Sequence, residues 1–159
     1  MEKEKKQQRK SAAKQAADII KKFEGYESAP YLCPASVPTI GYGTTIYSDG
    51  TKVSMDDDAI DEAKAEEELL NHIKAVEKQV NAVLDVKLKA HQKAALISFV
   101  YNVGIGNFTK STLLRKVNHC SDDQNIPFEF RRWTKGGGKV LRGLIRRRES
   151  EVELWTGSC

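Results

Sequence analysis

The sequence of 159 residues lacks several features that would place it in a class at once. No apolar run approaches the roughly 18 residues that span a bilayer, which excludes a helical membrane span. Residues 1–10 are almost entirely charged or amide-bearing, so we expect no secretory signal, because such a signal needs an apolar stretch. Internal repeats and long linkers are also missing. These absences favour a single globular domain.

Cysteine and histidine are scarce. The three cysteines form an odd set without metal-ligand spacing: Cys33, Cys120 and Cys159. The three histidines also lack partners at the spacing of zinc sites: His72, His91 and His119. We therefore expect no metal and no cofactor, and with no secretory signal we expect reduced thiols.

Charge is plentiful and unevenly distributed. The formal net charge is +4, with one basic group in residues 1–10, another in residues 142–148, and an acidic segment over residues 56–68. A positive surface suits an anionic partner such as an envelope or a nucleic acid, although a solvated surface is the plainer interpretation.

The first helix places one acid at an unusual position. Ser11 is suited to cap a helix whose apolar stripe runs to Phe23, and Gly25 is suited to end it. Glu24 then lies at the helix C-terminus, where the partial negative charge of the helix disfavours an ionised carboxylate. A carboxyl group that keeps its proton is what a general acid needs.

The rest of the chain predicts an α+β, mostly helical fold. Residues 26–53 are rich in Gly, Pro, Thr and Tyr and predict a small sheet with short strands near Val37–Tyr42 and Thr44–Tyr47. Helices are predicted at Asp61 to about Val83, Ala90–Val103, Phe108–Val117, Pro127–Trp133 and Leu141–Trp155. The resulting expectation is a small lobe with a sheet, joined by a long helix to a helical lobe, with a cleft between the lobes.

Three residues could face this cleft together: Glu24, Cys33 and Thr39. They offer an acid, a base or nucleophile, and a hydroxyl, because a hairpin can return past the end of the first helix. On spacing alone this is a weak signal, and a surface glutamate, a buried cysteine and a strand threonine are the plainer interpretation.

The segment from Phe23 to Gly43 resembles the phage-type lysozymes, which are muramidases of glycoside hydrolase family 24. Their pattern of Glu, eight residues, Asp or Cys, five residues and Thr is matched by Glu24, Cys33 and Thr39. Residues 95–114 and 130–148 resemble the middle and C-terminal regions of the family, and the match runs in order over roughly residues 14–157. One departure is Thr44, where many members have histidine.

The resemblance implies a two-lobed, lysozyme-like domain over residues 11–159 after a basic extension at residues 1–10. Its sheet lobe would span about residues 25–60, its connecting helix about 61–83, and its helical lobe about 84–157.

The resemblance also implies an endolysin that hydrolyses the β-1,4 bond between N-acetylmuramic acid and N-acetylglucosamine. Glu24 would protonate the leaving oxygen, Thr39 would hold a water, and Cys33 would act as base, electrostatic stabiliser or nucleophile. We expect Glu24 to govern the basic side of the pH profile in part and Cys33 the acidic side. A disulfide of Cys33 with Cys120 or Cys159 is a further hypothesis. The alternative functions are a lytic transglycosylase and a membrane-active lytic protein that acts through its basic segments.

Other residues are expected to support the site. Four would line the glycan cleft, with packing as the alternative role: Tyr31, Tyr42, Asn107 and Trp133. Arg148 falls by spacing on the buried face of the last helix and is a candidate partner for Glu24. That face is predicted to include Leu141, Leu144, Ile145, Val152 and Trp155.

The expected partners are the glycan strands of peptidoglycan, with contact to an anionic outer membrane through the basic N-terminus. We expect a monomer with no nucleic-acid partner. It would stay in the host cytoplasm until a holin or a membrane lesion releases it.

Overall fold

A computed structural model describes residues 10–157 of the chain. Its elements, in chain order, are α1 (Ala12–Glu24), β1 (Glu27–Leu32), β2 (Pro38–Gly41), α2 (Glu62–Val83), α3 (Ala90–Val103), α4 (Ile105–Thr109), α5 (Thr112–His119), α6 (Ile126–Arg131), β3 (Lys135–Gly136), β4 (Lys139–Val140) and α7 (Arg142–Thr156). The predicted α+β, mostly helical class is confirmed. Predictions that concern residues 1–9 and Cys159 lie outside the described residues.

Helix α1 begins and ends where the sequence predicts. The Ser11 hydroxyl oxygen accepts a hydrogen bond from the Lys14 amide at 3.2 Å, which satisfies one of the free amides of the first turn. Ala16 and Ile20 are fully buried along one side of the helix. Gly25 ends the helix with a φ of 70°, a conformation that glycine adopts at little cost. Glu24 is therefore the last helical residue.

A hairpin follows α1 at once. Strands β1 and β2 pair antiparallel, with Tyr31 opposite Thr39, and a turn from Cys33 to Ser36 joins them. The strand β1 was not predicted, and the predicted strand Thr44–Tyr47 is wrong: that segment makes only isolated bridges through Thr44 and Ile46. A hydrogen bond to a polar side chain holds the end of this segment in place of strand pairing: the Ser48 amide donates to buried Glu68 at 2.8 Å.

Helix α3 forms the centre of the molecule and packs against α1, α2 and α7. Its residues from Ala94 to Val100 are all buried, as their unbroken apolar sequence predicts. Phe99 contacts the rings of Phe108, Phe130 and Trp133 edge-on. Because α3 packs against both helices, it fixes the position of α1 relative to the last helix.

Two helix predictions need correction. The predicted helix Phe108–Val117 is divided into α4 and α5, because the Ser111 hydroxyl caps α5 by accepting from the Leu114 amide at 3.1 Å. On the last helix, Leu141 and Ile145 are 44% and 41% exposed, although a buried face was predicted to include them. Both lie beside an open cleft rather than under another helix.

None of the helices within residues 10–157 combines the length and apolar character needed to cross a membrane.

Candidate active site

The carboxylate of Glu24 lies where α1, the hairpin and α7 meet. Its Oε1 accepts a hydrogen bond from Nη1 of Arg147 at 2.8 Å. The Glu24 side chain is 26% exposed, whereas that of Arg147 is almost completely buried. The acid is therefore held from the inside by an arginine and is open to solvent on its other side.

Gly43 closes one side of the same carboxylate. A Cβ atom built on Gly43 would lie 2.8 Å from Oε2 of Glu24, and the backbone there has a φ of +82°. Both observations restrict the position to glycine, because an L side chain would be strained and would push the carboxylate away. The glycine-rich sequence after Thr39 therefore makes room for the acid.

The hairpin places three predicted site residues on one face. Side chains alternate along a strand, so Tyr31 and Cys33 share a face, and Thr39 lies directly across from Tyr31. The Cys33 amide donates to the Val37 carbonyl at 3.1 Å, which continues the pairing to the turn. Cys33 and Thr39 are thus separated in the sequence by the turn and the start of the second strand, which brings them to the same end of the hairpin.

The environment of Cys33 favours its thiolate. Hydrogen bonds from the backbone amides of Val37 and Ala35, and one involving the Thr39 hydroxyl, lower the pKa of the thiol, although partial burial opposes the change. The Thr39 hydroxyl also donates to the Val37 carbonyl at 2.9 Å. A hydroxyl has one proton, so Thr39 donates either to this carbonyl or to the sulfur.

Tyr31 connects the hairpin with the acid electrostatically. Burial raises the pKa of the Tyr31 phenol, and the negative charges of Glu24, Glu27 and Cys33 raise it further. Tyr31 is therefore within electrostatic reach of both Glu24 and Cys33. On the helical side, burial followed by the charge of Glu24 raises the pKa of Tyr101, whose hydroxyl donates to the Tyr42 carbonyl at 2.9 Å.

The arginine that contacts Glu24 is Arg147, and the predicted pairing of Glu24 with Arg148 is wrong. Arg148 is fully buried, as predicted, but it donates to Oδ1 of Asn102 at 2.8 Å and lies over the ring of Phe99. Adjacent residues on a helix point about 100° apart, so only one of two neighbouring arginines can face the end of α1. The sequence offered one signal for Arg147, the run of three arginines at residues 146–148.

The other predicted cleft residues lie in different surroundings. Tyr42 is buried, and its hydroxyl donates to Glu62 at 2.9 Å, so its ring belongs to the core. Trp133 packs edge-on against Phe99, and the Asn107 amide donates to the Val103 carbonyl at 2.8 Å. Thr44 is buried, and its hydroxyl has no hydrogen-bond partner within residues 10–157.

A cleft of about 860 Å³ opens beside Glu24 between α1 and the start of α7. Its lining includes Phe23, Leu141, Leu144 and Ile145, together with charged residues of both signs. Within residues 10–157, no group of three or more His, Cys, Asp or Glu side chains could hold a metal ion.

The family model described as phage lysozyme matches residues 21–151. The chain belongs to the phage lysozyme family. A SAR-endolysin from Bacteriophage PS119 is 40% identical over 135 residues, which are 84% of this chain and 77% of that relative. An endolysin from Bacillus phage B103 is 38% identical over 138 residues, which are 87% of this chain and 51% of that relative.

Solved structures of phage lysozymes and related muramidases share the fold. An endolysin from Escherichia coli O157:H7 phage FAHEc1 has a TM-score of 0.84 at 30% identity, covering 94% of this chain and 96% of the other. The muramidase domain of SpmX from Asticaccaulis excentricus has a TM-score of 0.77 at 30% identity, covering 92% and 98%. The predicted lysozyme-like fold and lysozyme class of enzyme are therefore confirmed.

Proposed function

We propose that this phage lysozyme is an endolysin that hydrolyses the β-1,4 bond between N-acetylmuramic acid and N-acetylglucosamine in bacterial peptidoglycan. The observation that carries the proposal is the carboxylate of Glu24, partly exposed at a helix end and held by Arg147. Tyr31, which lies across from Thr39 on the hairpin, is within electrostatic reach of both Glu24 and Cys33. An acid with a second ionisable group nearby is the arrangement that glycoside hydrolysis requires.

In this mechanism, Glu24 gives its proton to the glycosidic oxygen as the bond from that oxygen to the anomeric carbon breaks. A water attacks the anomeric carbon from the opposite face and transfers its proton to the Cys33 thiolate. The Thr39 hydroxyl positions that water. Return of a proton from Cys33 to solvent and uptake of one by Glu24 restore the enzyme.

The cellular setting is also a proposal. The enzyme would act on the glycan strands of the wall as a monomer and without nucleic acid. It would remain in the host cytoplasm until a holin or a membrane lesion opens the way to the wall. The basic N-terminus would assist by contacting the anionic outer membrane.

The first test replaces the acid by its amide. The Glu24→Gln variant should lose about 10²- to 10⁴-fold in the rate at which purified peptidoglycan is solubilised, because the amide has no proton to give. Glu27→Gln is the matched control, since Glu27 is an exposed carboxylate on the adjoining strand and should be dispensable. A Glu24→Gln variant with parental activity would refute the role of Glu24.

Mass spectrometry of the released fragments separates the alternative functions. A hydrolase leaves a reducing N-acetylmuramic acid end, which carries the elements of water. A lytic transglycosylase leaves an anhydro product, which is lighter by one water. Killing of intact cells without release of glycan fragments would instead indicate a membrane-active protein.

A further inference from the structure

Three charged residues of α7 are buried behind the proposed acid. Arg147, Arg148 and Glu151 are 3%, 0% and 0% exposed. Burying a charged group costs free energy unless the group is paired, so three buried charges behind the acid call for a structural or functional explanation. The mechanism above uses only the contact of Arg147 with Glu24 and leaves the other two residues unexplained.

Glu151 is the centre of this cluster. Its Oε1 lies 2.8 Å from Nε of Arg148, and its Oε2 lies 3.5 Å from Nε of Arg147. These are ion-pair distances without hydrogen-bond alignment. The Ser98 hydroxyl, on α3, donates to Oε2 at 2.6 Å. The carboxylate therefore contacts both arginines of its own helix and is fixed by a neighbouring helix.

Arg147 is held from three directions. One terminal nitrogen, Nη1, donates to Glu24, while Nη2 donates to the Ser98 carbonyl at 3.1 Å. Its Nε faces Glu151. Because the guanidinium group is planar and rigid, these contacts fix the direction in which Nη1 points. Glu151 and Ser98 thus orient the group that contacts the acid.

We propose that Glu151 is a positioning residue for the acid: it orients Arg147 toward Glu24 and shares the charge of Arg147 with Glu24. This inference rests on the proposed role of Glu24 as proton donor. Glu151 itself is fully buried and does not touch the substrate.

The sharing of charge matters because an arginine beside an acid opposes proton donation. A nearby cation favours the ionised carboxylate, which has no proton to give. Without a second carboxylate, the guanidinium group of Arg147 would act on Glu24 alone and would favour the ionised form of the acid. With Glu151 present, Arg147 lies near two carboxylates, those of Glu151 and Glu24, so only part of its attraction acts on Glu24. Burial raises the pKa of the Glu151 carboxyl, but the two guanidinium groups and the Ser98 hydroxyl oppose that rise.

Each element that packs around Glu24 contributes other charged or titratable groups. A substitution of Glu151 would leave all of these groups in place. Tyr31 and Cys33 lie on the hairpin, and Tyr101 lies on α3. Apart from Arg147, the cleft beside Glu24 adds four charged groups: Lys22, Arg146, Glu149 and Glu153. A change in the pH profile of the variant can therefore be attributed to the cluster.

The test is Glu151→Gln, which removes the charge but keeps the shape and the contact with Ser98. The rate of peptidoglycan solubilisation is measured against pH for the variant and the parent. At low pH, where a carboxyl group keeps its proton whatever charge lies beside it, the two rates should be similar. Near neutral pH and above, the variant should be roughly tenfold slower, because its Glu24 retains the proton less readily. KM should change little.

The matched control is Glu129→Gln. Glu129, on α6, is 5% exposed and lies 3.1 Å from Arg132, which follows that helix. The Glu129→Gln variant therefore also removes the charge of a buried, paired carboxylate. Both variants should lose stability, but the ratio of variant to parent rate should depend on pH for Glu151→Gln only. A ratio that is constant with pH in Glu151→Gln would overturn the proposal and leave Glu151 a purely structural role.

Two further variants keep the test decisive. Glu151→Asp retains the charge and should restore a pH-independent ratio even if its rate is lower. If Glu151→Gln does not fold, Ser98→Ala removes the hydroxyl that fixes Glu151 and should show the same pH-dependent loss to a smaller extent; a pH-independent effect would refute the proposal. Failure of the proposed function is recognised separately, because Glu24→Gln would then be active.

Discussion

At the scale of single residues, the thiol of Cys33 has the most consequences. A free thiol has a reference pKa of about 8.5 and a carboxyl group one of about 4, so a cysteine base is ionised over a much narrower pH range than an aspartate. The amides of Val37 and Ala35 lower the pKa of Cys33, which extends the thiolate to lower pH. The hydrogen bonds of the hairpin turn therefore offset part of the loss in ionised base that follows from a thiol in place of a carboxyl group.

This chemistry gives a prediction for Cys33→Asp. Below the pKa of the thiol, the thiolate fraction of the parent falls about tenfold per pH unit, whereas an aspartate stays ionised to about pH 4. The ratio of variant to parent activity should therefore rise as the pH is lowered from about 8 to about 5. Rates on purified peptidoglycan across this range check it.

Cys33→Ala is the control for the same experiment and should be inactive at every pH. Parental activity in Cys33→Ala would refute the base role. A Cys33→Asp ratio that does not vary with pH would show that the ionisation of residue 33 does not limit the rate.

The same residues show what could be predicted at this scale. Glu24, Cys33 and Thr39 follow from a local pattern, because a helix end and a hairpin are set by residues close in sequence. The partner of Glu24 was predicted as Arg148 and is Arg147, 123 residues away along the chain. Helical spacing predicts which side of α7 is buried, but not which part of that side meets the end of α1.

At the scale of elements, caps decide where helices begin. Ser11 and Asp61 each accept a hydrogen bond from the amide three residues on, and both helices start as predicted. Ser111 does the same for α5, which is why the predicted helix Phe108–Val117 is interrupted. Apolar residues keep their helical spacing across the break between α4 and α5, so periodicity alone did not reveal the cap at Ser111.

The cap of α2 gives a prediction about stability. The Asp61 carboxylate accepts from the Lys64 amide at 2.8 Å. Asp61→Ala should lower the free energy of unfolding by about 1 kcal/mol and the Tm by a few degrees. Thermal unfolding followed by circular dichroism measures this, and Asp61→Asn, which keeps a capping oxygen, should remain near the parent. Equal Tm values for Asp61→Ala and the parent would show that the cap does not limit stability.

At the scale of the whole molecule, the site depends on elements from both ends of the chain. Helix α1 supplies the acid and α7 supplies the arginine, and both pack against the central helix α3. The hairpin supplies the second group and packs against α2 through β2. Apolar periodicity predicted the helices, and the composition of residues 26–53 predicted a small sheet but not β1. The convergence of these elements follows from tertiary packing. The resemblance to phage-type lysozymes therefore contributed the arrangement that spacing alone left open.

The distribution of charge gives the last prediction, which separates wall cleavage from access to the wall. Glutamine at all five basic positions of residues 1–10 removes five positive charges from a net charge of +4. The rate on purified peptidoglycan should stay near that of the parent, because the site is unchanged. Killing of intact cells from outside should be slower, since attraction to an anionic surface is reduced. A control variant removes the same charge at five exposed lysines elsewhere: Lys52, Lys74, Lys78, Lys87 and Lys110. Equal killing by the two variants would mean that net charge matters and the N-terminal position does not.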